Sequence, residues 1–316
     1  MGLTVHYTLK YTGKSPKRPA QLVERMRQLA LDLPFDEVTD IVDISGQEIS
    51  QRIEDPNDPL QWLLIQAGDY FTYPWNDRKS QRINAERAIA FTAIPGPGSE
   101  PVNLGLCVYP KEITLDYCAF EDQKFLIYKE GGRPQVNTKK YFKWKNKDPR
   151  SIEPGPRTVP TKFSGWQWQS FCKTQYASNP ACGGLANFLK CHISVITLLD
   201  RIAELPAMKV TIEDEGKYGP STYSDDWEEA YAEGRQPTYV WHPATYNVKT
   251  LTQEVGDYNE LVASLGGLLK DKAGAAVKSP IFDYQNFEQL EFKGQKNVNK
   301  FLDALSKQVN LYKGEA

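Results

Sequence analysis

Residues 165–206 read GWQWQSFCKTQYASNPACGGLANFLKCHISVITLLDRIAELP and carry a strand, a loop and a helix in succession. The run from Gly165 to Tyr176 is a long strand candidate, and Asn179, Pro180, Gly183 and Gly184 make the loop that follows. Leu185, Phe188, Leu189, His192, Ile196, Leu199 and Ile202 then recur on one helical face until Pro206 ends it. Met208 to Ile212 reads as a second strand, and Glu213 to Gly219 as a turn. The segment is therefore a strand-helix-strand unit.

The N-terminus repeats that order. Leu3, Val5, Tyr7, Leu9 and Tyr11 alternate with Thr4, His6, Thr8 and Lys10, a period-two strand that turns His6 away from its apolar face. A turn with Gly13, Ser15 and Pro16 leads to Leu22, Met26, Leu29 and Leu33 at helical spacing, stopped by Pro34. Val38 to Ile44 can return as a strand. Short strands are expected at Trp62–Ile65, Ala88–Ile94, Val102–Tyr109, Ile113–Phe120 and Phe125–Tyr128, with Pro95 to Gly98 as a turn. Residues 131–162, rich in Pro, Gly and charge, read as a connection, and 220–247 as a polar, aromatic-rich insertion. Two further amphipathic helices follow, one with Leu251, Val255, Tyr258, Val262, Leu265 and Leu269, the last with Val298, Phe301, Leu302, Leu305 and Val309.

Helices and strands do not alternate regularly, which argues against a doubly wound parallel sheet. The expected fold is α+β: two similar lobes, each with a strand-helix-strand start and a largely antiparallel sheet covered by helices on one face. The expected division is a lobe at 1–130, a connecting segment at 131–162, and a lobe at 163–316 with its insertion at 220–247. Two lobes side by side would leave a cleft, a common ligand site.

Composition narrows the classes of partner. The 38 basic and 40 acidic residues give a net charge of -2, so any charged partner must be met by a local patch. No apolar run reaches the roughly 18 to 20 residues of a membrane helix, and residues 2–12 lack a secretion-signal pattern. The 5 cysteines, an odd number in a large chain, fit reduced thiols, and a cytoplasmic location is expected.

The candidate chemistry gathers at 172–192. Lys173, Tyr176, Cys191 and His192 are the catalytic candidates, a thiol and an imidazole supplying nucleophile and base while Lys173 or Tyr176 donates a proton or binds an anion. Cys172, Gly183 and Gly184 are the binding candidates beside them, the glycines because they precede a helix N-terminus. The competing role is packing, since Cys191 and His192 lie toward the apolar side of their helix. Cys172, Cys182 and Cys191 lack the close ligand pair of a structural zinc site, so no metal is assigned. A small-molecule ligand is compatible with this cleft, and no cofactor is specified.

The insertion supplies a second group. Glu213, Asp214, Glu215, Asp225, Asp226, Glu228 and Glu229 surround Tyr218, Tyr223, Trp227, Tyr231 and Tyr239, with Trp227 and His242 as binding candidates. Its carboxylates suit a hard cation or acid-base work, and its rings suit stacking; such runs are ordinarily solvated loops. An interaction protein using 218–242 is the alternative to the cleft. The basic aromatic stretch from Lys139 to Arg150 has the residue types that track single strands, although lysines guarding a strand edge explain it equally, and nucleic acid is not the expected partner. Gly-x-Ser-x-Gly and His-Glu-x-x-His are absent from the sequence.

Phe171 to Ala177, followed by Gly183, Gly184, Asn187, Phe188, Cys191 and His192, resembles a segment of uncharacterised bacterial proteins. The resemblance implies a bacterial cytosolic origin and carries no catalytic residue with it.

Overall fold

The computed structural model describes residues 3–15, 17–67, 69–72, 80–115, 126–127, 135–136, 157–161, 163–226, 229–230, 237–273 and 278–296. In chain order these give β1 (Thr4–Tyr11), α1 (Arg18–Leu31), β2 (Glu37–Val38), β3 (Val42–Ser45), α2 (Gln47–Glu54) and α3 (Gln61–Ala67). There follow β4 (Asp69–Thr72), β5 (Ser80–Ile83), β6 (Arg87–Ile94), β7 (Val102–Val108) and β8 (Glu112–Leu115). Next come β9 (Leu126–Ile127), β10 (Gln135–Val136), β11 (Arg157–Pro160), β12 (Trp166–Lys173) and α4 (Gly184–Ala203). The last are β13 (Met208–Asp214), β14 (Ser221–Tyr223), β15 (Val240–His242) and α5 (Val248–Ala273), before a helical stretch over 287–296.

The protein is α+β, with a mainly antiparallel sheet and helices. One sheet runs β13-β1-β12-β7-β6-β2, and β3 also pairs with β6. β12 and β13, the strands joined through α4, are separated by β1, so the N-terminal strand fills the gap that this crossover leaves. Both strand-helix-strand segments thus place their strands in this one sheet. Such interleaving is the split β-α-β arrangement.

By contacts the chain forms two compact units that interleave in sequence. One comprises Met1–Ile41, Ala90–Leu104 and Trp168–Ala316; the other comprises Val42–Ile89 and Gly105–Gln167. In the first, Leu3, Val5, Tyr7 and Leu9 of β1 are buried while His6, Thr8 and Lys10 are exposed, the alternation a one-sided sheet requires. α4 packs on β13, and α1 packs on α4. Leu22, Val23, Met26 and Ala30 form the buried stripe of α1. Buried aromatic side chains have partners for their polar ends. Tyr7 Oη and Trp168 Nε1 both donate to the Asn103 carbonyl oxygen, at 2.7 and 2.8 Å.

The second unit holds α2, α3 and the pairs β4–β5 and β8–β11. The strand expected at Trp62–Ile65 is instead part of α3. Asp58 Oδ1 accepts the Leu60 N–H at 2.7 Å and Leu64 N bonds Leu60 O, so a capped turn starts a helix there. Four apolar residues are too few to separate the two periods. The single strand expected over Val38 to Ile44 is split into β2 and β3. Between them, Arg27 Nε donates to Thr39 O at 2.6 Å and Thr39 Oγ1 accepts from Thr92 N at 2.9 Å. β12 also stops short of Tyr176, giving way to a 3-10 turn over Gln175–Ser178. The last amphipathic pattern, Val298 to Val309, the stretch Lys139 to Arg150, and Trp227 lie outside the described residues.

Candidate functional site

The strand-helix unit at 165–204 does not gather its candidate residues into one cleft. Cys172 and Lys173 are neighbours in β12, so their side chains leave opposite faces of the sheet. The Cys172 side chain is buried, with Sγ donating to Glu100 O at 3.2 Å; Lys173 Nζ lies 3.5 Å from Glu100 Oε1. Tyr176 packs with Val262, Ala263, Ile281 and Tyr284. Cys191 is buried against Leu3, Phe188 and Leu251, where burial pushes its thiol up to about 11, and burial pushes the Cys172 thiol up as well. Neither is poised as a thiolate nucleophile.

Gly183 and Gly184 serve the backbone. Gly183, at φ 100°, closes the 3-10 turn over Pro180–Cys182 and opens α4, and Gly184 N bonds Asn179 O at 2.9 Å. A side chain at this left-handed φ would be strained.

His192 enters a different constellation, built from residues that spacing alone does not connect. Its Nδ1 lies 2.8 Å from Thr174 Oγ1, and its Nε2 lies 3.1 and 3.2 Å from the two oxygens of Asp214. Asp214 also accepts N–H bonds from Gly216 at 2.7 Å, Tyr218 at 3.0 Å and Gly219 at 2.7 Å. Burial alone raises the Asp214 carboxyl, but the His192 ring and the turn N–H groups outweigh it and hold the carboxyl below its ordinary value. An ionised Asp214 holds the proton-bearing Nε2 of the ring, and Nδ1 faces the Thr174 hydroxyl.

Hydroxyl, imidazole and carboxylate in a row have the composition of a nucleophilic triad. The accessibility of the three groups decides against that use, because Thr174, His192 and Asp214 are all 0% exposed. A Cβ at Gly216 would come within 2.9 Å of the His192 ring, so the turn is closed over the imidazole with no room for a substrate. The network is a strut joining the end of β12, the middle of α4 and the end of β13. Sequence reading placed Asp214 among solvated carboxylates. The signal that finds it is its position at the end of a strand before Gly216 and Gly219, in a turn whose amides fold back on the carboxylate.

That strut anchors the next segment, which carries the exposed chemistry. Lys217, at φ 53°, leads into β14, which pairs with β15 in the register Ser221↔His242, Thr222↔Trp241 and Tyr223↔Val240. Thr222 bonds the Glu213 carboxylate through both its N–H and its hydroxyl. Thr245 N and Tyr246 N donate to Tyr218 O, and Tyr246 Oη donates to Asp200 Oδ2 at 3.0 Å. The His242 ring stacks on Tyr223 at 3.8 Å between centroids, and its Nε2 lies 3.5 Å from Asp225 Oδ2. Lys217 Nζ sits 4.7 Å from the Tyr223 ring on the other contact. A recess of about 410 Å³ is lined by Lys217, Tyr223, Ser224, Asp225 and Tyr239.

Around it, Tyr239 is 68% exposed, Trp241 60%, Tyr246 55% and Val240 49%. These are large apolar surfaces on a backbone that is hydrogen-bonded in place. Among the described residues, no group of three or more His, Cys, Asp or Glu side chains forms a metal site, and no helix is long and apolar enough to cross a membrane. No family model matches the chain, and no curated protein or solved structure matches it. The class that the observations define is an α+β protein with a buried polar strut and an exposed aromatic loop.

Proposed function

We propose that the protein works by binding, and that its recognition surface is the aromatic loop from Lys217 to Val248, which docks a protein partner. The observation that carries this reading is the exposure of Tyr239, Val240, Trp241 and Tyr246 within eight residues of a hydrogen-bonded hairpin. Tyrosine and tryptophan provide large contact areas at small entropic cost, and they dominate the energetics of protein interfaces. Lys217, Asp225 and His242 give that patch a polar rim. The recess beside Tyr239 suits a single inserted side chain as the anchor of the interface.

The strut supports this reading from below. Asp214 ties the turn that launches β14 to α4, so the described start of this segment is held in place before any partner binds. The test is quantitative affinity capture from extract of the source cells, comparing wild type with Tyr239→Ala/Trp241→Ala. The expected result is a protein recovered with the wild type and lost at least ten-fold with the variant, about 1.4 kcal/mol. An identical set of recovered proteins refutes the proposal. Both side chains are exposed, so the variant should unfold within about 0.5 kcal/mol of wild type.

A further inference from the structure

The hairpin that carries the exposed rings has an open edge. Among the described residues β14 and β15 pair only with each other. In an antiparallel pair, opposed residues that exchange backbone bonds alternate with residues whose N–H and C=O groups point away from the neighbouring strand. The Thr222 N–H goes to the Glu213 carboxylate, so Thr222 and Trp241 are a pair of the second kind. The N–H and C=O of Trp241 therefore point out from the free edge of β15. Thr238 N donates to Asp226 Oδ1 at 3.0 Å, just beyond the end of β14, and this alternation turns the backbone groups of Tyr239 outward too.

Among the described residues, nothing bonds these four outward groups, and Thr238, Tyr239, Val240 and Trp241 are exposed one after another. Proteins guard an open edge with lysines or other charges, because unpaired backbone groups invite a further strand. Tyr239, Val240 and Trp241 carry no charge. A two-stranded sheet is also marginal alone and gains from added strands.

The edge is complementary to itself. Residues 237–243 read PTYVWHP, so about Val240 the residue Pro237 mirrors Pro243, Thr238 mirrors His242 and Tyr239 mirrors Trp241. A second copy laid antiparallel, with the two-fold axis at Val240, sets each Tyr239 opposite the Trp241 of the other copy. All four outward groups on each edge are then paired, in four hydrogen bonds across the axis. The ladder stops there, because the outward positions beyond it are prolines without an N–H. Tyr239 and Trp241 leave the same face of the strand, so two aromatic cross-strand pairs form, while Val240 meets Val240 on the other face. An isologous contact of this kind closes at two copies.

We propose that β15 pairs with β15 of a second copy of this chain about a two-fold axis at Val240, joining two hairpins into a four-stranded sheet. The proposal rests on the partner reading above and deepens it, since it names the docked protein as the same chain. Two aromatic side chains offer at most about 300–500 Å² per copy, less than the roughly 800 Å² of a standard interface, which sets the dimer in the micromolar range.

The test is analytical ultracentrifugation of the full chain from about 1 to 200 µM, a span that brackets a small interface. Wild type should rise from the chain mass toward twice that mass. Val240→Lys and Val240→Glu each oppose like charges across the axis and should weaken the dimer several-fold. Their equimolar mixture opposes unlike charges and should recover the loss, which also shows that both variants fold. The proposal is overturned by a wild type that stays at the chain mass, by a dimer that both variants leave unchanged, or by a mixture no tighter than either variant alone. A monomeric wild type whose affinity capture still depends on Tyr239 and Trp241 refutes the second copy and leaves the partner reading standing, with a segment of another protein on the edge. A monomer with unchanged capture refutes both.

Discussion

Replacing Asp214 by asparagine keeps the side chain's shape and removes its charge, so it isolates the worth of the buried strut. The carboxylate accepts from Gly216 at Oδ1, from Tyr218 and Gly219 at Oδ2, and from the His192 ring. Whichever way the amide turns, its NH2 faces at least one of those buried N–H groups. One orphaned donor costs about 1–3 kcal/mol, and the remaining bonds lose their charge assistance. The sum is about 3–5 kcal/mol. It is a large share of the stability of an ordinary domain, about 5–15 kcal/mol.

The assay is urea unfolding of wild type, Asp214→Asn, His192→Phe and the double variant. A coupling of about 1–3 kcal/mol is expected, because the two residues share one network. The pH dependence carries the same information. The folded Asp214 carboxyl is held below its ordinary value, so its contribution is present above the unfolded value near pH ~3.9 and is lost as pH falls toward the folded one. Asp214→Asn should therefore flatten the acid limb of the stability curve. A loss under about 1 kcal/mol, or additive single variants, would refute the reasoning.

Two other substitutions separate crowding from helix propensity. At Gly216 a Cβ would meet Leu251 at 2.7 Å and His192 at 2.9 Å, so Gly216→Ala should destabilise by about 1–3 kcal/mol. At Gly256 in α5 a Cβ meets nothing within 4 Å, so Gly256→Ala should stabilise by about 0.5–1 kcal/mol, and the same sign for both would sink the packing account. Thiol chemistry reports on the burial of the former nucleophile candidates. With Cys118→Ser, iodoacetamide at pH ~8 should modify Cys182, which is partly exposed, and leave Cys107, Cys172 and Cys191 unmodified until urea is added. Mass spectrometric detection of native modification at Cys172 or Cys191 would contradict their burial.

Much of the fold is legible in the chain. The alternation from Leu3 to Tyr11 specifies β1, its buried face and the outward placing of His6, and the stripe from Phe188 to Ile202 specifies α4 and its core-facing side. Both follow from local periodicity, which any well-packed layer must match. Trp62 to Ile65 shows the limit of that signal, since a capping aspartate outside the apolar run chose the helix.

The site is legible only in its parts. The sequence marked His192 as a rare residue in a thiol-rich segment, and it marked 218–242 as rich in rings and carboxylates. Local pattern could not pair His192 with Asp214, 22 residues away across a helix and a strand end. It could not set Lys10 against Lys209, because cross-strand register between residues so distant in the chain is fixed by the whole sheet. What the sequence determined alone is which faces must be buried, since apolar periodicity acts over a few residues. What tertiary structure decided is which polar groups meet, since a buried carboxylate or an opposed lysine takes its energy from neighbours that only folding supplies.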